Sequence, residues 1–338
     1  TSWFQTPATV GLFISLMVIL ATKSVISAEA FDLWGWRVPF WVSIAMVGVS
    51  YLIRKNMDES PVFSKAKKEG TTSTNPLKES FGNRYNLKFV LLALFGATMG
   101  QGVVWYTGQF YAMSFMKTVM NIDSSQVDEL LGIALLIGTP FFIVFGWLSD
   151  KVGRKYIMML GMLLAIFSYR PIYKMMYDTT DVSKKTEILE TPRITTENKT
   201  NGSSITITEK KYTDGTSVVE KKTYLDKKDT QTNVSIVINS SDKWTLTFLV
   251  FIQVLFVTMV YGPIAAFLVE MFPTKIRYTS MSLPYHVGNG IFGGLLPAIS
   301  TYFVSHAKTA GKADFYLDGL WYPIIIAGIC FVIGMIYI

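Results

Sequence analysis

The sequence is poor in charged residues, cysteine and histidine. Asp, Glu, Lys and Arg make up 16% of its 338 residues, whereas soluble domains contain about 25%. The single cysteine, Cys330, excludes a disulfide framework within the chain. Two histidines, His286 and His306, form no metal-binding constellation. No nucleophile elbow and no phosphate-binding loop is found, so we predict neither an enzyme nor a cofactor.

Residues 288–293 read GNGIFG and resemble a dinucleotide-binding fingerprint. That fingerprint requires a strand before the first glycine and a helix after it. Here the glycines lie inside an apolar run. We therefore expect them to allow close packing or bending of a helix.

Long apolar runs occupy most of the chain, and 50% of its residues are hydrophobic. Crossing the bilayer core takes about 20 consecutive, mostly apolar residues. The runs are too long and too uniform for the alternating strands of an outer-membrane barrel. We predict an all-α integral membrane protein with eight transmembrane helices. They are predicted at residues 3–22, 36–53, 88–115, 127–149, 155–177, 244–269, 278–304 and 318–338.

Basic residues are concentrated in alternate connections and predict the orientation. Between Arg54 and Lys88 there are eight basic and four acidic residues. An even number of hairpins places Lys151, Arg154 and Lys275 on the same side. Because cytoplasmic loops carry an excess of Lys and Arg, we predict that both ends of the chain are cytoplasmic. These loops also account for the net charge of +7, so no nucleic-acid partner is predicted.

The connection at residues 178–243 is polar and too long for an ordinary inter-helix loop. Residues 205–208 and 217–220 alternate in polarity around the turn sequence Thr213-Asp214-Gly215, and residues 234–238 could form a third strand. We predict a small β-rich insertion on the extracytoplasmic side. The alternative is a disordered loop with a tendency to form a hairpin.

Several short motifs carry a family resemblance. Residues 146–155 read GWLSDKVGRK and interrupt two apolar runs with a charged turn. Residues 58–63 read DESPVF, and residues 269–278 read VEMFPTKIRY. With GQGVVWY at 100–106 and YHVGN at 285–289, these segments resemble those of the major facilitator superfamily. The resemblance is strongest to its metabolite:proton symporters, which carry organic acids, shikimate, proline or betaine.

The resemblance implies that the eight helices are helices 5 to 12 of a twelve-helix carrier, with helices 1 to 4 absent. Residues 1–54 would then be a remnant of the N-terminal bundle, helices 5 and 6. Residues 55–87 would be a cytoplasmic linker, and residues 88–338 the C-terminal six-helix bundle. The insertion at 178–243 would lie between helices 9 and 10.

In this family, helices 7, 8, 10 and 11 line the binding cavity. Gln101, Trp105 and Gln109 recur at i, i+4 and i+8, which places them on one helix face. Polar side chains are costly against lipid, so such faces are expected to point inward. Hydrogen bonding between helices is the alternative role. The predicted substrate-binding residues are Gln101, Trp105, Gln109, Gln253, Tyr261, Tyr285 and Asn289.

Four charged residues are predicted at the inner membrane surface: Asp150, Arg154, Glu270 and Arg277. The resemblance implies that they form a charge relay that holds the inner gate shut in the outward-facing state. The predicted spans offer no convincing buried acid to couple protons, and Arg170 and Glu270 are the nearest candidates. We therefore do not expect this chain to couple protons by itself.

The sequence thus predicts a secondary active transporter that moves a small hydrophilic metabolite, such as an organic acid or a zwitterion, by alternating access. Its predicted partners are this substrate, protons as coupling ion, and the lipid bilayer. It is predicted in the cytoplasmic (inner) membrane and as a monomer when complete. The alternative is a non-transporting membrane protein, derived from a carrier, that displays the β-rich insertion as a binding or sensing module.

Overall fold

A computed structural model describes residues 6–57, 59, 61–70, 72–188, 193–198, 203–225 and 228–338. Residues 3–5 of the first predicted span, and Asp58 and Ser60 of the DESPVF segment, lie outside this part of the chain. The described residues form a mostly helical structure with one small sheet. Its long helices are α1 (Thr6–Val25), α2 (Gly35–Lys55), α3 (Arg84–Thr118), α4 (Ser124–Val152), α5 (Arg154–Thr179), α6 (Ser240–Met271), α7 (Arg277–Thr309) and α8 (Phe315–Tyr337).

Seven of these helices, α2 to α8, are long and apolar enough to cross a membrane. They coincide with seven of the eight predicted runs. The remaining run falls on α1, where the apolar helix is shorter and covers Val10–Val25. Two short helices, Ala28–Leu33 and Pro61–Lys68, lie in the connections before and after α2.

Helix α6 lies in the centre of the bundle. Its side chains at Val250, Val254 and Val257 are completely buried, and it packs against α4 and α5 along its length. Helix α2 is exposed instead: no residue from Val38 to Lys55 is buried. Such exposed apolar surface is expected of a helix whose solvent is lipid.

Three π-helical turns interrupt the long helices. They cover Leu94–Thr98 and Thr107–Tyr111 in α3, and Gly288–Gly293 in α7. A π-turn holds one more residue than an α-turn and rotates the side chains that follow it, and such turns are frequent at functional sites. Of the residues predicted to bind substrate on α3 and α7, Gln109 and Asn289 lie within these turns.

Helices α3 and α7 approach each other more closely than side chains would allow. The Thr98 hydroxyl donates a 2.8 Å hydrogen bond to the Pro284 carbonyl of the other helix. A Cβ atom on Gly288 would lie 2.7 Å from the Thr98 carbonyl carbon and oxygen. Gly288 and Gly293 of the GNGIFG segment therefore serve close helix packing, as the sequence predicts.

The turn in GWLSDKVGRK is a single residue. Helix α4 ends at Val152, α5 begins at Arg154, and Gly153 between them has φ +109°. Side chains with a Cβ atom rarely adopt this conformation, so glycine is required here. The turn predicted between the two apolar runs is thus a tight reversal at Gly153.

A four-stranded antiparallel sheet lies between α5 and α6, with its strands in sequence order. The tight turn between its two central strands is confirmed: Gly215 has φ +87°, and the Asp214 carboxylate accepts a 2.9 Å hydrogen bond from the Thr216 amide. The sequence predicted three strands, and the structure adds one at Arg193–Asn198. The strands are β1 (Arg193–Asn198), β2 (Ser203–Lys211), β3 (Ser217–Leu225) and β4 (Lys228–Val237).

Main-chain hydrogen bonds attach this sheet to the bundle. The Ile236 amide donates to the Asn121 carbonyl at 2.7 Å, and the Asp123 amide donates to the Ile236 carbonyl at 2.9 Å. The Lys185 ammonium also binds the carboxylates of Asp214 and Asp242. Although partial burial acts in the opposite direction, the bonds from Lys185 and Thr216 lower the pKa of Asp214 to about 2. The sheet is therefore fixed to the end of the bundle where α3 ends and α4 begins.

Candidate functional site

A reciprocal amide pair joins α3 to α7 inside the bundle. The Gln101 Nε2 group donates to Asn289 Oδ1 at 3.0 Å, and Asn289 Nδ2 donates to Gln101 Oε1 at 3.2 Å. Asn289 Nδ2 also donates to the Tyr285 carbonyl at 2.9 Å. Gln101 is completely buried. Because buried amides are costly without partners, this pair holds the two helices in one register.

An aromatic chain continues from the amide pair towards α6. The hydroxyl groups of Tyr285 and Tyr261 lie 2.8 Å apart and share a hydrogen bond. The Tyr261 ring stacks on the Trp105 indole with ring centroids 5.8 Å apart. Among the described residues, the buried Trp105 Nε1 atom has no hydrogen-bond partner. Five of the seven predicted site residues are thus brought together, and one of them, Trp105, has an unused hydrogen-bond donor.

The other two predicted residues, Gln109 and Gln253, are completely buried. Gln253 Nε2 donates to the Leu249 carbonyl at 3.4 Å and to the Met176 sulfur at 3.6 Å. Within the described part of the chain, neither polar atom of Gln109 has a partner, and neither does Gln253 Oε1. Gln253 therefore packs towards α5, whereas Gln109 lies in the π-helical turn that follows Trp105.

Three of the four predicted gate residues meet at the opposite end of α4 from the sheet. The Arg154 guanidinium binds Glu270 Oε1 at 2.6 Å and Asp150 Oδ1 at 3.0 Å. It thereby links the ends of α4, α5 and α6. The fourth residue, Arg277, instead donates from Nε to the Phe272 carbonyl at 3.0 Å. We call Asp150, Arg154 and Glu270 the inner charge cluster.

The expectation that the helices contain no convincing buried acid was wrong. Asp128, in the second turn of α4, is 2% exposed. Its carboxylate binds the ammonium of Lys23 in α1 at 3.3 Å and that of Lys117 in α3. Sequence offered little signal, because an acid near a helix start is ordinarily explained by the helix dipole. Of the two candidates named from sequence, Arg170 pairs with Asp314 at 3.6 Å near the start of α8, and Glu270 belongs to the inner charge cluster.

Comparison with known proteins decides the family. The model of the major facilitator superfamily matches residues 6–176, which is half of the chain. The chain belongs to this superfamily. This facilitator is therefore related to transport proteins and not to enzymes, and its helices are those of an integral membrane protein.

Three relatives show which proteins within the superfamily it resembles. A citrate-proton symporter of Salmonella typhi is 22% identical over 308 residues, which cover 90% of this facilitator and 55% of the relative. A proline/betaine transporter of Staphylococcus aureus (strain COL) is 20% identical over 317 residues, covering 92% and 53%. Another from Staphylococcus haemolyticus (strain JCSC1435) is 26% identical over 158 residues, covering 45% and 32%. The facilitator spans about half the length of the curated relatives it matches, and no solved structure matches it.

Proposed function

We propose that this facilitator forms part of a secondary active transporter for a small hydrophilic metabolite, an organic acid or a zwitterion, with protons as the coupling ion. The observation that carries the proposal is the chain of polar side chains from Gln101 to Trp105 inside an apolar bundle. Amide and phenol groups can hydrogen-bond a carboxylate or an ammonium group. The names of the relatives, a citrate-proton symporter and proline/betaine transporters, support this class of substrate.

We further propose that α1 to α8 correspond to helices 5 to 12 of a twelve-helix carrier. Residues 1–54 would belong to the N-terminal bundle, residues 55–87 to the linker and residues 88–338 to the C-terminal bundle. The positions of the Gly153 turn and the inner charge cluster support this numbering. Substrate would bind where α3, α6 and α7 meet, near the middle of the membrane.

The same numbering gives the orientation that we propose. Lys151, Arg154 and Lys155 lie at the end of α4 away from the sheet, and the positive-inside rule places that end in the cytoplasm. The sheet, with the surrounding residues 178–243, would then lie on the extracytoplasmic side of the inner membrane. Both ends of the chain would be cytoplasmic, α1 would complete eight spans, and the carrier would act as a monomer.

Tyr285→Phe tests the substrate site. The change removes one hydroxyl from the pair with Tyr261, and we expect the rate of uptake to fall about tenfold, because a hydrogen bond at a buried site contributes about 1–1.5 kcal/mol. Uptake of labelled citrate, proline and betaine by the complete twelve-helix carrier proposed above would be measured in proteoliposomes, with and without a pH gradient. The matched control is Tyr302→Phe on the same helix, since Tyr302 is 66% exposed.

Uptake that is unchanged in Tyr285→Phe, or reduced equally in Tyr302→Phe, would contradict the proposed site. If the wild-type protein transports a substrate at the same rate with and without the pH gradient, the proton coupling is wrong while the site stands. The two parts of the proposal are therefore tested separately.

Asp150→Asn tests the inner charge cluster as a gate. The substitution removes one of the two charges that bind Arg154, and we expect uptake to fall several-fold because the inner end no longer closes firmly. Stability should change by less than about 1 kcal/mol, since Asp150 is partly exposed. Accessibility of cysteines introduced at the inner end to a membrane-impermeant label should rise. Lys151→Gln is the control, because Lys151 lies over the Trp147 ring outside the cluster; unaltered uptake and labelling in Asp150→Asn would refute the gate.

A further inference from the structure

A second polar site lies where α1, α3 and α4 meet. Asp128 Oδ2 binds the Lys23 ammonium at 3.3 Å, and Oδ1 binds the Lys117 ammonium. The side chain of Asp128 is 3% exposed, whereas those of Lys23 and Lys117 are 24% and 26% exposed. Each carboxylate oxygen is therefore used by a different lysine, and both lysine side chains remain partly accessible.

Asp128 and both lysines line a cavity of about 590 Å³. Cavities of a few hundred to about 1,000 Å³ with apolar walls and a few polar groups are typical of small-molecule sites. Of the described residues that line this one, most are aliphatic or aromatic. They are Leu12, Ser15, Leu16, Ile19, Lys23, Phe31, Trp36, Pro39, Phe40, Ser43, Met113, Lys117 and Asp128.

The charges around the cavity do not balance. Among its described lining residues there are two bases, Lys23 and Lys117, and one acid, Asp128. A buried pair that served packing alone would be neutral, because an uncompensated charge near apolar walls is costly. Each ammonium has three donors, and Asp128 accepts from each of them only once. The site thus retains one positive charge and unused donors beside a partly open cavity.

We propose that this cavity binds a small carboxylate whose remaining part is apolar. Its carboxylate would lie between the ammonium groups of Lys23 and Lys117, and its apolar part would pack against Leu16, Trp36 and Phe40. Asp128 competes with the ligand for both lysines. This site goes beyond the proposed transport site, which lies between α3, α6 and α7 and carries no charged side chain.

Substitutions can change the net charge of the site in steps, and the affinity for a carboxylate should rise as the site becomes more positive. The wild-type site carries +1, Asp128→Asn gives +2, Lys117→Gln gives 0, and the double variant Asp128→Asn/Lys117→Gln returns to +1. Binding of labelled benzoate at neutral pH would be measured by equilibrium dialysis on the full chain in phosphatidylcholine nanodiscs, which contain no anionic lipid. Relative to wild type, we expect affinity at least about tenfold higher in Asp128→Asn and at least about tenfold lower in Lys117→Gln.

Two controls separate this site from overall charge and from hydrophobic binding. Lys88→Gln removes an exposed lysine near the other end of α3 and should leave benzoate affinity within about twofold of wild type. Benzamide has the shape of benzoate without its charge and should not respond to any of the substitutions. Lys117→Gln leaves a neutral Lys23–Asp128 pair, so its loss of affinity tests the site even where Asp128→Asn yields no folded protein. The proposal is overturned if Asp128→Asn binds benzoate no tighter than wild type, or if Lys117→Gln binds it as well.

Discussion

Replacing Gly288 by alanine is expected to reduce the free energy of unfolding by about 3 kcal/mol. The new Cβ atom would lie 2.7 Å from the Thr98 carbonyl carbon and oxygen, and the backbone of α3 cannot move aside as a flexible side chain could. Overpacking of this kind costs about 1–3 kcal/mol and occasionally more. We also expect the 2.8 Å hydrogen bond from Thr98 to Pro284 to lengthen as the helices separate.

Gly290→Ala is the matched control, two residues away in the same π-helical turn. A Cβ atom there would meet nothing within 4 Å, and alanine favours helix over glycine by about 1 kcal/mol. Thermal unfolding in detergent should therefore show a lower midpoint for Gly288→Ala and an unchanged or higher midpoint for Gly290→Ala. Equal midpoints for the two variants would mean that the close approach of α3 and α7 does not limit stability.

The second large effect is expected from the amide pair of Gln101 and Asn289. Asn289→Leu leaves the completely buried Gln101 amide without its partner, which should cost about 1–3 kcal/mol of stability. Gln101→Leu should cost a similar amount for the same reason. Because the double leucine variant removes both polar groups, most of that stability should return, giving a coupling energy well above the roughly 0.5 kcal/mol found for independent sites.

Uptake should behave differently from stability in these variants. If the amides bind substrate, all three variants should lose uptake, including the double variant in which stability is restored. A structural role alone predicts that uptake recovers together with the unfolding midpoint. Measuring both quantities on the same preparations therefore separates a packing role from a binding role, and additive losses of stability would show that the two amides do not form a pair.

Hydropathy predicted most of the architecture, because a helix in lipid must be long and apolar. Seven runs are confirmed within a few residues of their predicted ends. The hairpin around Gly215 was predicted because the residues of the turn themselves favour a tight reversal of the chain. Strand β1 was missed, since its sequence RITTEN contains one strongly apolar residue and no clear alternation, and it is defined mainly by pairing with β2.

The sequence predicted the candidate site only where residues close together in the chain determine its geometry. Tyr285 and Asn289 are one helical turn apart and share a face of α7, from which they bind Tyr261 of α6 and Gln101 of α3. The spacing of Gln101, Trp105 and Gln109 assumes 3.6 residues per turn, but the π-helical turn at Thr107–Tyr111 changes that period. Asp128 could not be recognised because one of its lysines is 105 residues away in the chain.

The sheet has a practical consequence for observing motion. Its last strand is bonded through Ile236 to the connection between α3 and α4, and Lys185 joins Asp214, in the turn between β2 and β3, to Asp242 at the start of α6. Because the sheet is attached to these helix ends, it rotates when they tilt. The displacement is largest at the ends of the strands far from the attachment. A fluorophore or an antibody fragment placed on it would report movements of the bundle without a probe among the helices.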